Sequence, residues 1–487
     1  MPRIDRRDFV RGIALAGLTA SAEVDEAKGD DKTTPPQTAS PGKDVTRHLA
    51  EYVVASKPGD IPHLVNKEAT RTLLNWVGCA VGGSRHETVD IAIGALAPFA
   101  GPAQATILGR KERMDVLNAA LVNGIASHIF DYDDTHLRTV IHPAGPVASA
   151  ILALSEYKPV FGADFLHALV LGVEVECRIG NAVYPTHYDA GWHITGTTGV
   201  FGSAAAVGKL LGLNNQQMTW ALGIAATQPV GLKEMFGTMT KSFHPGRAAQ
   251  NGLTSAMLAS RNFTSSEQAI EAKAGWANVL STARDYSEIT KMLGQTYEIS
   301  LNTYKPFACG IVIHPAIDAC IQLRNQYNLA ASQIERIDLR VHPLVLELTG
   351  KKNPQTGLEG KFSVYYASAI AIVEGAAGEK QFSDTLVRDP AIIALRDRVT
   401  ATVDPSVGEA QVKIAITLEN GMRLEKSIDK VIGSIENPMS DAALDVKFLD
   451  LANGVLPQPQ ARKLLELCWT AEKLPSAGEI ARAAASV

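Results

Sequence analysis

Cysteine, aromatic residues and uncompensated charge are all scarce in this 487-residue chain, and each scarcity excludes something. The five cysteines (Cys79, Cys177, Cys309, Cys320, Cys468) are scattered, with no CxxC pair and no zinc or iron–sulfur spacing. An odd, dispersed set argues against a disulfide framework, and each is expected to be a buried free thiol. Aromatics make up only 6% of the residues, whereas glycine occurs 40 times among alanine-rich stretches, which points to closely packed helices. Net charge is −5 without a basic face, so nucleic-acid binding has no support. After the N-terminus no segment reaches the roughly 18–20 apolar residues of a membrane span, and no stable membrane insertion is expected. What remains, 46% hydrophobic and 20% charged, is an ordinary globular balance in a chain long enough for a large core.

The N-terminus differs in kind. Arg6-Arg7-Asp8-Phe9-Val10-Arg11 precedes an apolar run from Gly12 to Leu18 and the small-residue stretch Ala20-Ser21-Ala22. A charged head, a modest apolar segment and a cleavable end read as a twin-arginine export signal over residues 1–22. The expected destination is the periplasm, with the cytoplasm as the alternative. Residues 23–43 are polar and read as a disordered linker.

From Val45 onward apolar residues recur at three and four, with short Gly/Pro/Asn breaks. The expected helices include Lys67–Val81, Val116–Ala126, Val147–Leu154, Asp164–Val183, Thr198–Leu211, Asn215–Thr227 and Arg247–Ala259. After Tyr297 the period changes. Ile334–Val341, Val399–Val403, Ala410–Leu418 and Met422–Ile428 alternate as half-buried strands, and Glu419-Asn420-Gly421 reads as a hairpin turn. Helical stretches (His314–Tyr327, Phe362–Glu374) lie among them, and the pattern is helical again from Ser440. The expected fold is mainly α with an α+β insertion: a large all-helical domain from residues 44–297 and 432–487, and a smaller α+β lid domain at 298–431.

Four polar patches carry the chemistry. The densest is His128-Ile129-Phe130-Asp131-Tyr132-Asp133-Asp134-Thr135-His136, followed by His142-Pro143. The others are Gly191–Gly199 with His193, Met235–Arg247 with Lys241 and His244, and Tyr304–Gly310 with Lys305, leading to His314-Pro315. Each is Gly- or Pro-rich and precedes a helix, whose free N–H groups favour carboxylates. Lys241, Arg247 and Lys305 add fixed cations, and the histidines titrate near neutral pH. The sum suggests a pocket for a small polycarboxylate with proton-transfer chemistry. A metal reading would use His128, Asp131, Asp133, Asp134 and His136, but no HExxH helix or EF-hand spacing accompanies them, so no metal is expected. A nucleophilic mechanism lacks a GxSxG elbow. Singly, each residue has a plain alternative: His128 packing at a helix end, Asp131 and Thr135 as caps one helical turn apart, Tyr365-Tyr366 as core. The case rests on their co-occurrence.

Together the patches resemble the MmgE/PrpD family, which includes 2-methylcitrate dehydratase, cis-aconitate decarboxylase and iminodisuccinate epimerase. The matching text is His128–His136, Phe201–Leu213, Met235–Asn251 and Tyr304–Asp318, within a similarity running from about Val45 to Leu467. The resemblance implies a cofactor-independent enzyme, a homodimer, and a helical domain with an α+β lid. It implies active-site roles for Asp131, Thr135, His142, His193, Lys241, His314 and Tyr366. Asp131, His193, His142 and His314 are the expected catalytic residues, and Thr135, Lys241 and Tyr366 the expected substrate-binding ones.

The expected activity is a lyase that dehydrates a 2-methylcitrate-like tricarboxylic 2-hydroxy acid through α-proton abstraction. Decarboxylation of cis-aconitate and epimerisation of a dicarboxylate such as iminodisuccinate use nearly the same pocket and stay open as alternatives. So does a non-catalytic, exported carboxylate-binding protein.

Overall fold

The structure, a computed structural model, describes residues 42–486. The export-signal reading of residues 1–22 and nearly all of the linker reading lie outside it. Among the described residues no helix is long and apolar enough to cross a membrane.

Helices that read as one-sided in sequence are buried on almost every face. Gly162–Val183 and Ile194–Leu211 bury glycines, alanines and threonines as well as their large apolar residues. Both pack in one core with Val116–His128, Ala144–Tyr157 and Met239–Ala259, and the C-terminal residues Leu444, Phe448, Leu464 and Ile480 join that core. A second core contains residues from Phe307 to Val431 together with Ile129, Phe130 and Tyr132. The acidic motif is therefore the place where the two cores meet. The structure is mainly α with small sheets.

Three helices start four or more residues before their sequence patterns suggested, His63–Gly83 among them. Ile194–Leu211 takes in Thr195, Thr197 and Thr198: the Thr197 and Thr198 hydroxyls bond back to the Ile194 carbonyl (3.2 and 2.8 Å), and Thr197 Oγ1 also meets His187 Nε2 at 2.7 Å. Met239–Ala259 takes in Pro245 in its interior. Lys241 and His244 thus lie within the first two turns of a helix, not on a loop ahead of one.

The acidic motif departs from expectation in the other direction. The helix Val116–His128 ends at His128, and Asp134–His136 is a short strand paired antiparallel with Asn302–Tyr304. Asp131 and Thr135 do not share a helical face. A four-stranded sheet has the order Val399–Val403, Ile334–Val341, Val412–Leu418, Arg423–Ile428; its first pair is parallel and the others antiparallel. The Asn-Gly turn closes as expected: the Gly421 amide donates to Leu418 and Gly421 has φ +83°.

One crossing sets the distance between the acidic motif and Lys241. Helices Val116–His128 and Met239–Ala259 touch through glycines, such that a Cβ on Gly124 would lie 2.4 Å from the Gly246 Cα. A Cβ on Gly246 would lie 2.3 Å from the Leu121 carbonyl oxygen. Backbone, not a flexible side chain, is the obstacle, so an added methyl must push the helices apart. Gly124→Ala is expected to cost about 1–3 kcal/mol and to impair activity by withdrawing Lys241 from Asp131. Thermal unfolding checks it, and an unchanged melting temperature would refute the close-contact argument.

Candidate active site

Beyond His128 the chain turns sharply. Asp131 adopts φ +50°, a left-handed conformation that aspartate tolerates better than most residues. Three buried lysines hold the turn by consecutive carbonyls. Lys361 Nζ donates to Phe130 O (2.8 Å), Lys305 Nζ to Asp131 O (3.0 Å) and Lys447 Nζ to Tyr132 O (2.6 Å). Lys361 also donates to Ala308 O (2.7 Å), and Lys447 to Lys305 O (2.9 Å), so the same ammonium groups tie the turn to the Tyr304–Gly310 segment. Burial pushes both of these lysines down to about 8.

The Asp131 side chain sits between two cations. Its Oδ1 accepts from Lys305 Nζ at 2.6 Å and Lys241 Nζ at 2.9 Å. Burial alone would raise the carboxyl, but the two ammonium groups outweigh it and hold it well below the usual carboxylate range. Asp131 is therefore a permanent anion, and one carboxylate offsets two buried lysines.

Histidines form the next layer. His142 Nδ1 donates to the Asp134 carbonyl (2.7 Å), which leaves the Nε2 lone pair free, 4.0 Å from Asp131 Oδ1. His128 Nδ1 contacts Asp133 Oδ2 at 2.7 Å, and its Nε2 is buried without a partner. His193 and His244 share one proton across a 2.9 Å Nδ1–Nδ1 contact. Burial first, then neighbouring cations and imidazoles, depresses His142 and His193 well below the ordinary value of 6.5, and His244 to about 4. These rings are neutral at physiological pH.

Asp131, Thr135, His142, His193 and Lys241 line one cavity of about 470 Å³, its open mouth included. Five of the seven residues expected from sequence thus converge. Thr135 reaches it from the strand, with its Oγ1 3.3 Å from His142 Nδ1. Lys305, which the sequence marked only as a cation, is equally part of the wall, as are Tyr188, Phe236 and Phe362.

The other two of the seven lie elsewhere. Tyr366 is fully buried in the second core, and its hydroxyl donates to the Gln381 carbonyl, so it does not reach the cavity. His314 lies outside the lining; its ring packs on Phe307, with Nε2 3.4 Å from Cys309 O. Arg247, counted among the fixed cations, is exposed and bonds to Gln250. The Ala144–Tyr157 helix does not present its first amide to a ligand, since Ala144 N–H donates to Asp134 Oδ2 (3.1 Å). The sequence marked His244 only as a titratable member of its patch, and no sequence signal marked Lys361 or Lys447 for their places.

The fold also builds a cluster that no spacing announced: ring nitrogens of His128, His142 and His193 lie within 4.8 Å of one another. Imidazoles suit divalent transition metals. Burial depresses all three rings first; Lys241 adds to that depression, whereas the Asp133 carboxylate acts in the opposite sense on His128 and His142.

Residues 47–289 match the MmgE/PrpD N-terminal domain, and residues 307–471 match the MmgE/PrpD C-terminal domain. The chain belongs to the MmgE/PrpD family. It is similar to cis-aconitate decarboxylase of Aspergillus terreus, 26% identical over 459 residues that cover 88% of this chain and 94% of the relative. The cis-aconitate decarboxylase of Homo sapiens is 26% identical over 452 residues, covering 89% and 92%. The 2-methylcitrate dehydratase of Salmonella typhimurium is 22% identical over 387 residues, covering 74% and 77%.

Two outcomes test the electrostatics. Asp131→Asn leaves two buried ammonium groups without their anion and is expected to cost about 3–5 kcal/mol, read by thermal unfolding; a variant as stable as the parent would show that the triad contributes nothing. In NMR titration of the free protein, His142 and His193 should still be neutral at pH 6, because a depressed pKa moves protonation to lower pH. A midpoint near 6.5 for either would contradict the site as described.

Proposed function

We propose that this protein is a cofactor-free lyase that decarboxylates a tricarboxylate of the cis-aconitate type. The observation that carries the reading is the cavity in which two buried ammonium groups face neutral imidazoles across the Asp131 anion. The relatives named cis-aconitate decarboxylase share more identity and more of the chain than those named 2-methylcitrate dehydratase, which supports decarboxylation ahead of the dehydration expected from sequence.

Decarboxylation breaks the bond between the carbon framework and one carboxylate. The electron pair stays on carbon, delocalised toward an adjacent carboxylate, until a proton arrives. Lys241 and Lys305 hold carboxylates and stabilise that charge. His193 delivers the proton: once the bound anion has drawn a proton onto the ring, its Nδ1–H is donated to His244 Nδ1 and its Nε2–H is free for transfer, which returns the ring to the neutral form. Asp131 orients the lysines, and Thr135 supplies a hydroxyl beside His142.

A second reading, dehydration, is favoured by one feature that decarboxylation does not need. His142 carries a lone pair on Nε2, and a hydro-lyase requires such a base to remove the α proton while His193 protonates the departing hydroxyl. The arginine pair ahead of a short apolar run supports export of the folded enzyme, and the family resemblance supports a homodimer.

Incubation with cis-aconitate, citrate and 2-methylcitrate, following released carbon dioxide and the absorbance of unsaturated products, separates the two reactions. Carbon dioxide from cis-aconitate is the expected result; water loss from 2-methylcitrate would install the second reading. His193→Asn should lower kcat about 10²- to 10⁴-fold. Tight binding of these acids with neither product nor solvent proton exchange would leave a binding protein and overturn the lyase.

A further inference from the structure

We propose that the catalytic cavity continues into an apolar subsite that takes an alkyl substituent on the carboxylate substrate. A second cavity of about 580 Å³, its open mouth included, adjoins the first and shares three wall residues with it: Val140, Ile311 and Val312. Its far side is formed by Leu137, Ala410, Val431 and Ile432.

The two cavities differ in charge. Lys241 and Lys305 lie in the first, and among the described residues neither a lysine nor an arginine lines the second. Its ionisable lining groups are Glu409, which repels a carboxylate, and His314, which burial pushes down to about 3 and so leaves neutral. A carboxylate therefore has partners on one side of the partition only, and an apolar group is better placed on the other. The two chambers orient an amphiphilic acid, head toward the lysines and tail toward Val431.

The partition itself is unusual. Val140 holds φ +55°, a left-handed conformation that is an outlier for a β-branched residue. It sits at the tip of a tight turn closed by the His136 amide donating to Ile141 O (2.8 Å). Such strain persists where surrounding structure imposes it, and it concentrates at ligand-contacting positions. Here it places an aliphatic side chain in the shared wall.

This inference rests on the lyase reading for the head group, but its test does not require turnover. Calorimetry with 2-methyl-, 2-butyl- and 2-hexylsuccinate as unreactive probes should show affinity rising two- to fourfold per methylene, the increment for burying CH₂. Ala410→Trp and Ile432→Arg, both at exposed positions, should abolish that dependence while leaving methylsuccinate affinity and turnover of short substrates unchanged. A flat series in the parent protein overturns the subsite even if cis-aconitate is turned over. A dependence that survives both variants also overturns it, as does a flat series with either variant slowing short substrates, which would make the cavity a passage. A rising, variant-sensitive series without turnover of any acid keeps the subsite and sinks the lyase.

Discussion

The Asp131 carboxylate between Lys241 and Lys305 is the interaction on which the site depends. Those two lysines come from helix Met239–Ala259 and from the segment after strand Asn302–Tyr304, which are far apart in sequence. Both donate to the same oxygen atom, so the anion fixes the distance between them. Buried ammonium groups repel strongly when solvent does not screen them, and one fixed anion makes their approach tolerable. The turn that carries Asp131 is held in its left-handed conformation by Lys361, Lys305 and Lys447 through three successive carbonyls. Charge inside this protein is used first to hold backbone, and the substrate meets what is left over.

That arrangement explains why the helices are so poor in large side chains. Lys241 reaches Asp131 only because Gly124 and Gly246 let two helix backbones approach closely. Glycine and alanine at crossings trade apolar area for proximity, and proximity is what a site assembled from several helices requires. The two hydrophobic cores meet at Ile129, Phe130 and Tyr132, immediately around the anion, so any movement between the cores bears on Asp131 first.

Much of this was legible in sequence, and the failures have physical reasons. The helical period, the strand alternation and the Asn-Gly turn report local backbone preferences, and those elements stand as read. Asp131, Thr135, His142, His193 and Lys241 lie in polar patches that interrupt apolar periodicity, and the family resemblance singled them out within those patches. Helix starts at Ile194 and Met239 were missed because threonine, glycine and proline read as breakers, whereas tertiary packing and back-bonded hydroxyls override them here. Tyr366 and His314 sat in motifs of the right kind, but their polar atoms are satisfied by carbonyls of their own region. Lys361 and Lys447 gave no signal, since a lysine in sequence looks solvated until the fold shows it bonded to main chain.

The neutral histidines carry the remaining argument. With His142, His193 and His244 uncharged, the free cavity offers two lysine charges less one aspartate, far short of what a tricarboxylate brings. Arrival of the substrate replaces water with negative charge beside rings whose pKa values are depressed mainly by burial. Nearby anions favour the imidazolium, so binding draws the ring pKa values back up. On the proposed reading, the site gains its proton donor from the substrate's own charge, when and where the donor is needed. A site built with permanently protonated histidines would bind polyanions more tightly at rest, yet it would hold its ground-state ligand as firmly as the transition state and accelerate nothing. Depressed imidazoles around a half-neutralised lysine pair suit the proposed proton-transfer lyase on a polycarboxylate, and a passive carboxylate binder would gain nothing from them.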